Sequence, residues 1–257
     1  MALSYCAMQV RTQDIDRFHL AACVPRWGQE DWLALAAFNL ELARTAHRVS
    51  DPNLGLIRLQ WWREVLTEIE DGGAVRAHQV ALALHQIGPR LNLPPLYKMI
   101  EARTQDLEAA PFAHLEDLRR YLMHISGALL IAQAYALNLR GIEGMANHLG
   151  CSFGFIGLAR TLAAGKTPWH RLPQDWQDDP FEGVVHAVDQ ATLHLDRAQE
   201  LRKTHEDPKS LSCIFAVEFL LERWIKALSH GRKNSRINQG FYTRPLPFQA
   251  LRLALRS

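Results

Sequence analysis

The stretch from Asp31 to Leu66 carries two helical patterns separated by a turn, and it constrains the fold more than any other part of the sequence. Its apolar residues recur at steps of three and four positions, which places each set on one face of a helix. Between the two sets, Ser50-Asp51-Pro52-Asn53 ends one helix and begins the next. The apolar sets are Leu33, Ala36, Ala37, Leu40 and Ala43, followed by Leu56, Leu59, Trp62 and Leu66. Two helices are therefore expected to face a shared core.

The rest of the chain shows the same character. Helical patterns alternate with Pro and Gly breaks, and no stretch has the strict alternation of a half-buried strand. A chain of 257 residues is able to form one large core. We expect an all-α protein of nine or ten helices, built as a single domain over residues 1–257. The patterns place helices at about 14–25, 30–50, 51–71, 78–87, 94 onward, 114–139, 145–164, 181–202 and 210–230.

Hydropathy gives no indication of a membrane-spanning segment. The most apolar run, residues 127–139, is interrupted by Gln133 and Asn138, and a bilayer span needs roughly 18 apolar residues. The first residues carry Asp14 and Asp16, unlike a signal peptide or an Arg-rich transit peptide. The sequence therefore predicts a cytoplasmic location, peripheral to the inner membrane where it contacts one, or the mitochondrial matrix in a eukaryote.

Positive charge is concentrated at the C-terminus. Residues 223–257 hold eight Lys or Arg and no Asp or Glu, although the whole chain has a net charge of only +2. Phe248, Leu251 and Leu255 follow at helical spacing. This segment suits contact with an anionic membrane surface or an acidic partner, and a solvated tail that caps the last helices is the alternative. No nucleic-acid partner is expected.

Cysteine and histidine give no sign of a metal centre. The four cysteines, Cys6, Cys23, Cys151 and Cys213, form no CxxC pair, and the twelve histidines show no HExxH spacing. We expect buried free thiols.

Two sequence motifs in the first helical pair suggest a family. Phe38-Asn39 is followed, a turn and a helix later, by Trp61-Trp62-Arg63-Glu64. This order resembles the start of the squalene/phytoene synthase family, where A-F-[CN]-R-x-x-D-D-x-x-D precedes W-W-R-E. The three Asp positions fall here on Ala43, Arg44 and His47. The scaffold residues of the motif are kept and its carboxylates are missing.

A second motif shows the same loss. Residues 150–165 stand in the register of the family pattern G-x-x-x-Q-x-x-N-I-L-R-D-x-x-x-D. Arg160 matches the arginine, whereas the Asn position falls on Gly157 and the two Asp positions on Thr161 and Gly165. The resemblance implies the isoprenoid-synthase fold, a helical bundle in which the helix with Phe38 faces the helix with Gly157 across a central cavity.

The missing carboxylates concern the chemistry of the family. Its Asp motifs hold Mg²⁺, which requires clustered oxygen ligands and neutralises the leaving diphosphate. Glu41 is the one acid on the first motif's helix face, and its expected role is an ion pair with Arg44. His47 is expected to be packed or solvated, since one histidine does not make a metal site. The resemblance therefore implies no catalytic residue, no metal and no cofactor in this chain.

Basic residues surround the position of the former diphosphate site. Arg160 is followed by Lys166, His170 and Arg171 in the loop after the second motif. Arginine can hold a phosphate through two hydrogen bonds without a metal. Arg160, Lys166 and Arg171 are therefore candidate ligands for an anionic headgroup, and a solvated basic loop is the alternative.

Other motif residues have expected structural roles. Trp62 is in phase with the core positions, whereas Trp61 points elsewhere, toward a cavity or a partner. Gln60 and Glu64 lie one helical turn apart and can bond to each other. Ser126 and Gly127, within the family's Y-x-x-x-x-[SA]-G region, are small enough to allow close helix contact.

The resemblance is strongest to the branch that includes the mitochondrial assembly factor of respiratory complex I, whose members lack the Asp motifs. It implies a non-catalytic protein that supports assembly of a membrane complex or binds a prenyl lipid. The alternative is an active Mg²⁺-dependent head-to-head prenyltransferase. A third possibility is an interaction module with a filled core, although the small residues Ala43, Gly154, Gly157 and Gly165 favour retained space.

Overall fold

The chain is helical throughout the residues that the structure, a computed structural model, describes. These are residues 3–49, 51–108, 110–165, 172–173, 176, 180–205 and 211–233. No strand occurs among them, as the sequence predicts. The helices are α1 Tyr5–Gln13, α2 Ile15–Ala21, α3 Gln29–Ala43, α4 Thr45–Arg48, α5 Pro52–Glu70, α6 Gln79–Ile87, α7 Leu93–Thr104, α8 Leu115–Leu122, α9 Ala128–Ala136, α10 Glu143–Ala163, α11 Pro180–Lys203 and α12 Ser212–Lys233.

Helix ends follow the signals in the sequence. The Asp51 side chain caps α5 by accepting the Asn53 N–H, and Pro52 occupies the first turn. Asp14 caps α2 and His78 caps α6 in the same way. Such caps satisfy N–H groups that have no partner inside the helix. The predicted ends are thus confirmed to within a few residues, except that Ser50 lies outside the described residues.

Three features differ from the sequence-based expectation. α1 was not predicted, and its Ser4 cap precedes a helix with little apolar periodicity. The pattern over 114–139 is interrupted by a π-helical turn at Met123–Gly127 and ends at Ala136. The pattern over 30–50 is interrupted at Arg44, which separates α3 from α4, so the described residues contain twelve α-helical segments instead of nine or ten.

The chain divides into two compact units. The first consists of Met1–Glu108 with Ala128–Ile142, and the second of Ala109–Gly127 with Glu143–Ser257. The expectation of a single domain stays a prediction, as does the central cavity.

In the first unit, α3 packs against α1, α6 and α9. All residues from Trp32 to Asn39 are buried, so this part of α3 is enclosed on every side and not along one stripe. The prediction that Leu56 is a core residue is wrong, because this residue is 46% exposed. Leu40 and Ala43 are only half-buried, whereas Glu41 and Leu42 between them are buried.

In the second unit, α10 packs against α11, α12, α8 and the π-helical turn. The closest approach is at Gly150, where an added Cβ would lie 2.3 Å from the Ser126 carbonyl oxygen and 2.4 Å from Gly127 Cα. The prediction that Ser126 and Gly127 allow close helix contact is confirmed. The backbones themselves touch here, so the packing depends on glycine.

The four cysteines are free thiols, as predicted. Cys6, Cys151 and Cys213 are buried, whereas Cys23 is half-buried. Burial raises the pKa of Cys6 and of Cys23 to about 11. At neutral pH these two groups are therefore protonated and weak as nucleophiles.

Candidate functional site

The first motif region of α3 is occupied by a polar cluster around Arg44, which we call the Arg44 cluster: Gln9, Gln13, Glu41, Arg44 and Arg48. Arg44 Nη1 lies 2.7 Å from Glu41 Oε1, and its Nε donates to Gln13 Oε1 at 2.7 Å. Its Nη2 donates to Gln9 Oε1. Arg48 approaches the other Glu41 oxygen at 3.7 Å. The predicted Glu41–Arg44 ion pair is confirmed.

This cluster determines what the first motif region can bind. Glu41 is 7% exposed, and both of its oxygens face an arginine. A carboxylate neutralised in this way is a poor ligand for Mg²⁺, because the cation would have to displace two guanidinium groups. His47 is solvent-exposed, as expected for a solvated histidine. The residues at the Asp positions do not fit a Mg²⁺ ion.

Arg44 also contributes to stability. If Arg44 is replaced by alanine, Glu41 stays buried with only the longer contact to the half-exposed Arg48. Loss of one partner of a buried ion pair costs about 3–5 kcal/mol, and the partial exposure of Arg44 reduces this to about 2 kcal/mol. Urea unfolding of Arg44→Ala measures the change. Arg58→Ala is the matched control, since Arg58 is exposed and should change stability by less than about 0.5 kcal/mol. Equal effects of the two substitutions would contradict the role of the cluster.

The retained motif residues of the first unit hold one another in place. The Phe38 ring meets Trp62 edge to face, with 5.2 Å between centroids, and Trp62 is 4% exposed. The prediction that Trp62 is a core residue is confirmed. Trp61 packs against Trp62 and His78, with the Arg76 guanidinium 5.5 Å from its ring centroid.

The polar residues of the motif also have structural partners. The Arg103 guanidinium donates to Asn39 Oδ1 at 3.3 Å. Gln60 donates to Glu64 at 3.4 Å, which confirms the predicted bond, although Glu64 makes a shorter contact of 2.6 Å with Arg76. These contacts explain why the motif can persist without the carboxylates, since its side chains support the packing of α3, α5 and α7.

The second motif region lies on α10. Arg160 matches the family arginine, and its guanidinium stacks 4.0 Å from the Trp224 ring centroid. Thr161, at an Asp position, donates its hydroxyl to the Gly157 carbonyl at 2.7 Å. An added Cβ at Gly157 would meet no atom of the described residues within 4 Å, so open space adjoins this residue within that part of the chain. Lys166, His170 and Arg171 lie outside the described residues.

Two of the small residues have local explanations. Gly165 has φ +65°, a left-handed conformation that favours glycine at the end of a helix. A Cβ at Gly154 would lie 2.9 Å from Leu122 Cδ2, so that position is closely packed. The expectation of retained space is wrong at Gly154 and is supported at Gly157, and it stays a prediction at Ala43 and Gly165.

A buried chain of polar side chains in the second unit was missed by the sequence reading. His148 Nδ1 lies 2.9 Å from His194 Nδ1, and His194 Nε2 lies 3.5 Å from Cys151 Sγ. His148 and Cys151 stand three positions apart on α10, which is the one local signal in the sequence. Burial raises the pKa of Cys151 to about 12, so the thiol is not a nucleophile at neutral pH.

The same buried polar side chains make the stability of the protein depend on pH. Burial, with a smaller contribution from His148 and Arg119, lowers the pKa of His194 to about 4. Between pH 6.5 and 4 the unfolded chain binds a proton at this site that the folded protein does not, so stability is complete above pH 6.5 and falls as the pH drops. Each pKa unit corresponds to about 1.4 kcal/mol, so the expected loss is about 3 kcal/mol.

The measurement compares the wild type with His194→Leu by urea unfolding across this pH range. The wild type should lose more stability than the variant on acidification. Burial raises the pKa of Glu218, so this group changes stability with pH in the opposite direction. Because Glu218 is present in both proteins, its effect cancels in the comparison. His47→Gln, at an exposed site, is the control and should follow the wild type. Parallel pH profiles for wild type and His194→Leu would show that the buried histidine does not control the slope.

No metal site is evident in the described part of the chain. Among those residues, no group of three or more His, Cys, Asp or Glu is arranged to hold a metal ion. In the same part, none of the helices combines the length and apolarity required to cross a bilayer.

Comparison with known proteins places this geometry in context. The sequence profile of the squalene/phytoene synthase family matches residues 10–234. Solved structures share the fold. One is a dehydrosqualene synthase in complex with ligand, with a TM-score of 0.73 and 13% identity, covering 98% of this chain and 93% of the other. Another is squalene synthase HpnC from Alicyclobacillus acidocaldarius, with a TM-score of 0.71 and 15% identity, covering 88% of this chain and 92% of the other.

The curated relatives that match this chain are named as assembly factors of complex I. A human protein named NADH dehydrogenase (ubiquinone) complex I, assembly factor 6, is 26% identical, over 78% of this chain and 66% of its own length. Its Drosophila melanogaster homolog is 25% identical, over 83% of this chain and 63% of its own length. The chain thus spans just under two thirds of the length of these relatives.

Proposed function

We propose that this chain, which belongs to the squalene/phytoene synthase family, is a non-catalytic member that supports assembly of respiratory complex I. The observation that carries the proposal is the Arg44 cluster. An arginine stands at a metal-binding position of the family, and it neutralises the neighbouring Glu41. A site built to hold Mg²⁺ and a diphosphate would instead need an excess of carboxylates there.

The names of the relatives support the assembly role. Human, bovine and Drosophila relatives at 25–27% identity are all named for complex I assembly. A protein of this kind acts through binding, so it needs a stable scaffold and no reacting groups. The contacts that retain Phe38, Trp61 and Trp62 supply such a scaffold without catalytic chemistry.

A prenyl lipid is the second ligand candidate, and one observation favours it. Among the described residues, none fills the space beside Gly157 on α10, and Arg160 follows one turn later on the same helix. In this proposal Arg160, with Lys166 and Arg171, binds the anionic headgroup. The stacking of Arg160 on Trp224 restricts the guanidinium, which reduces the entropy lost on binding.

Deletion of the gene in its own organism tests the assembly role. We expect the amount of assembled complex I on native gels to fall, while squalene and carotenoid content stays unchanged. Complementation with the wild type should restore assembly. If deletion instead abolishes an isoprenoid product and leaves complex I intact, the proposed function is wrong and the prenyltransferase alternative is correct.

A further inference from the structure

The start of α5 carries an unusual exposed apolar patch. Leu54 is 51% exposed, Leu56 46% and Ile57 64%. Single exposed leucines are ordinary on soluble proteins, but three large aliphatic side chains within four positions form a contiguous patch. We call these three residues the α5 tip.

The arrangement of the α5 tip around the helix restricts what it can contact. At about 100° per residue, the buried positions Gly55, Leu59 and Trp62 share one side of α5. Leu54, Leu56 and Ile57 are spread over the opposite half of the circumference. A helix that docks in a protein groove presents one stripe at i, i+3, i+4 and i+7. Three aliphatic groups spread over the outward half of the helix, instead of lying in one stripe, suit insertion into an apolar medium such as the edge of a bilayer core.

The charge near the α5 tip is mainly positive. From residue 42 to residue 63 there are four arginines and a single acid, Asp51. The Asp51 carboxylate accepts the Asn53 N–H at 2.9 Å in the helix cap. Arg58 is exposed on α5, and Arg48, which approaches Glu41 at 3.7 Å in the Arg44 cluster, is exposed on the preceding short helix. Arginines beside an inserted apolar group are placed to meet lipid phosphates, while the aliphatic parts of their side chains stay in the apolar layer.

We propose that the α5 tip, with Arg48 and Arg58 beside it, docks this protein on an anionic membrane surface. The apolar side chains enter the boundary between headgroups and acyl chains, and the two guanidinium groups bind lipid phosphates. This surface is separate from the basic C-terminal segment. It goes beyond the proposed assembly role, because membrane docking by α5 does not depend on what the protein assembles or binds.

Vesicle co-sedimentation tests the proposal with the full chain. The vesicles contain phosphatidylcholine with phosphatidylglycerol, or phosphatidylcholine alone. We expect the triple variant Leu54→Ser, Leu56→Ser, Ile57→Ser to lower the partition coefficient on anionic vesicles at least about tenfold, since each aliphatic side chain removed from the bilayer weakens binding substantially. Leu82 and Leu193 are exposed on α6 and α11. Their replacement by serine is the matched control, and this variant should bind as the wild type does.

The charge is tested separately. Arg48→Gln with Arg58→Gln should weaken binding to anionic vesicles and leave the weaker binding to phosphatidylcholine unchanged. Circular dichroism and urea unfolding verify that each variant is folded, which is expected because the substituted apolar side chains are exposed. Unchanged vesicle binding by the folded triple variant would overturn the proposal. This holds whether light scattering then shows that the tip mediates self-association, or substitution of Arg232, Lys233 and Arg236 shows that these residues carry all membrane binding.

Discussion

Replacement of Gly150 by alanine is expected to destabilise the protein by about 3 kcal/mol or more. The new Cβ would lie within 2.5 Å of three backbone atoms of Ser126 and Gly127. A flexible side chain could move aside, but backbone atoms of a helix cannot, so α10 has to shift away from the π-helical turn. Overpacking of this kind typically costs about 1–3 kcal/mol, and contacts with backbone belong at the upper end.

Gly157 provides the matched control on the same helix. A Cβ there meets none of the residues that the structure describes within 4 Å, so alanine adds no clash with them. Because alanine loses less backbone entropy than glycine when a helix forms, Gly157→Ala should stabilise the protein by about 0.5–1 kcal/mol. Urea unfolding of both variants gives the difference. Similar changes in both variants would mean that the close approach at Gly150 does not exist.

This close approach is visible in the sequence only in part. The small residues Ser126 and Gly127 indicate a tight helix contact, but the partner Gly150 lies more than twenty positions away. The π-helical turn leaves no trace in composition, since it is a change of hydrogen-bond register within a continuous apolar pattern. Most helix ends, by contrast, follow from caps and prolines that act locally, as Asp51 and Pro52 do for α5.

The first motif region shows the same division. The loss of carboxylates at Ala43, Arg44 and His47 can be read directly from the sequence, and so can the pairing of Arg44 with Glu41 one turn away. The remaining partners of Arg44 are Gln9 and Gln13 on α1, a helix whose weak periodicity hides it. A contact between residues 31 or 35 positions apart depends on tertiary packing, which local patterns do not encode.

The second prediction with a large effect concerns catalysis. Ionisation of an allylic diphosphate requires neutralisation of the charge that develops on the leaving group, and electrostatic stabilisation is usually the largest catalytic contribution. Loss of one well-placed group commonly costs a factor of about 10²–10³. Here five family carboxylate positions are replaced, by Ala43, Arg44, His47, Thr161 and Gly165. We therefore expect no useful rate of prenyl transfer.

Retained cations do not change this expectation. Arg160, which matches the family arginine, and the basic residues Lys166 and Arg171 are our proposed ligands for a diphosphate. Interactions that stabilise the bound substrate as much as the transition state leave the barrier unchanged. Binding of a prenyl diphosphate is thus compatible with the absence of turnover, and the two have to be measured together.

The most direct test is incubation of the purified protein with labelled farnesyl or geranylgeranyl diphosphate, Mg²⁺ and NADPH, beside an active squalene synthase. Product is read by extraction and binding by titration calorimetry with the same diphosphates. We expect no extractable condensation product, with or without Mg²⁺, under conditions where the active enzyme converts its substrate fully. Product formed at an enzyme-like rate and abolished by a chelator would contradict the non-catalytic role of this chain.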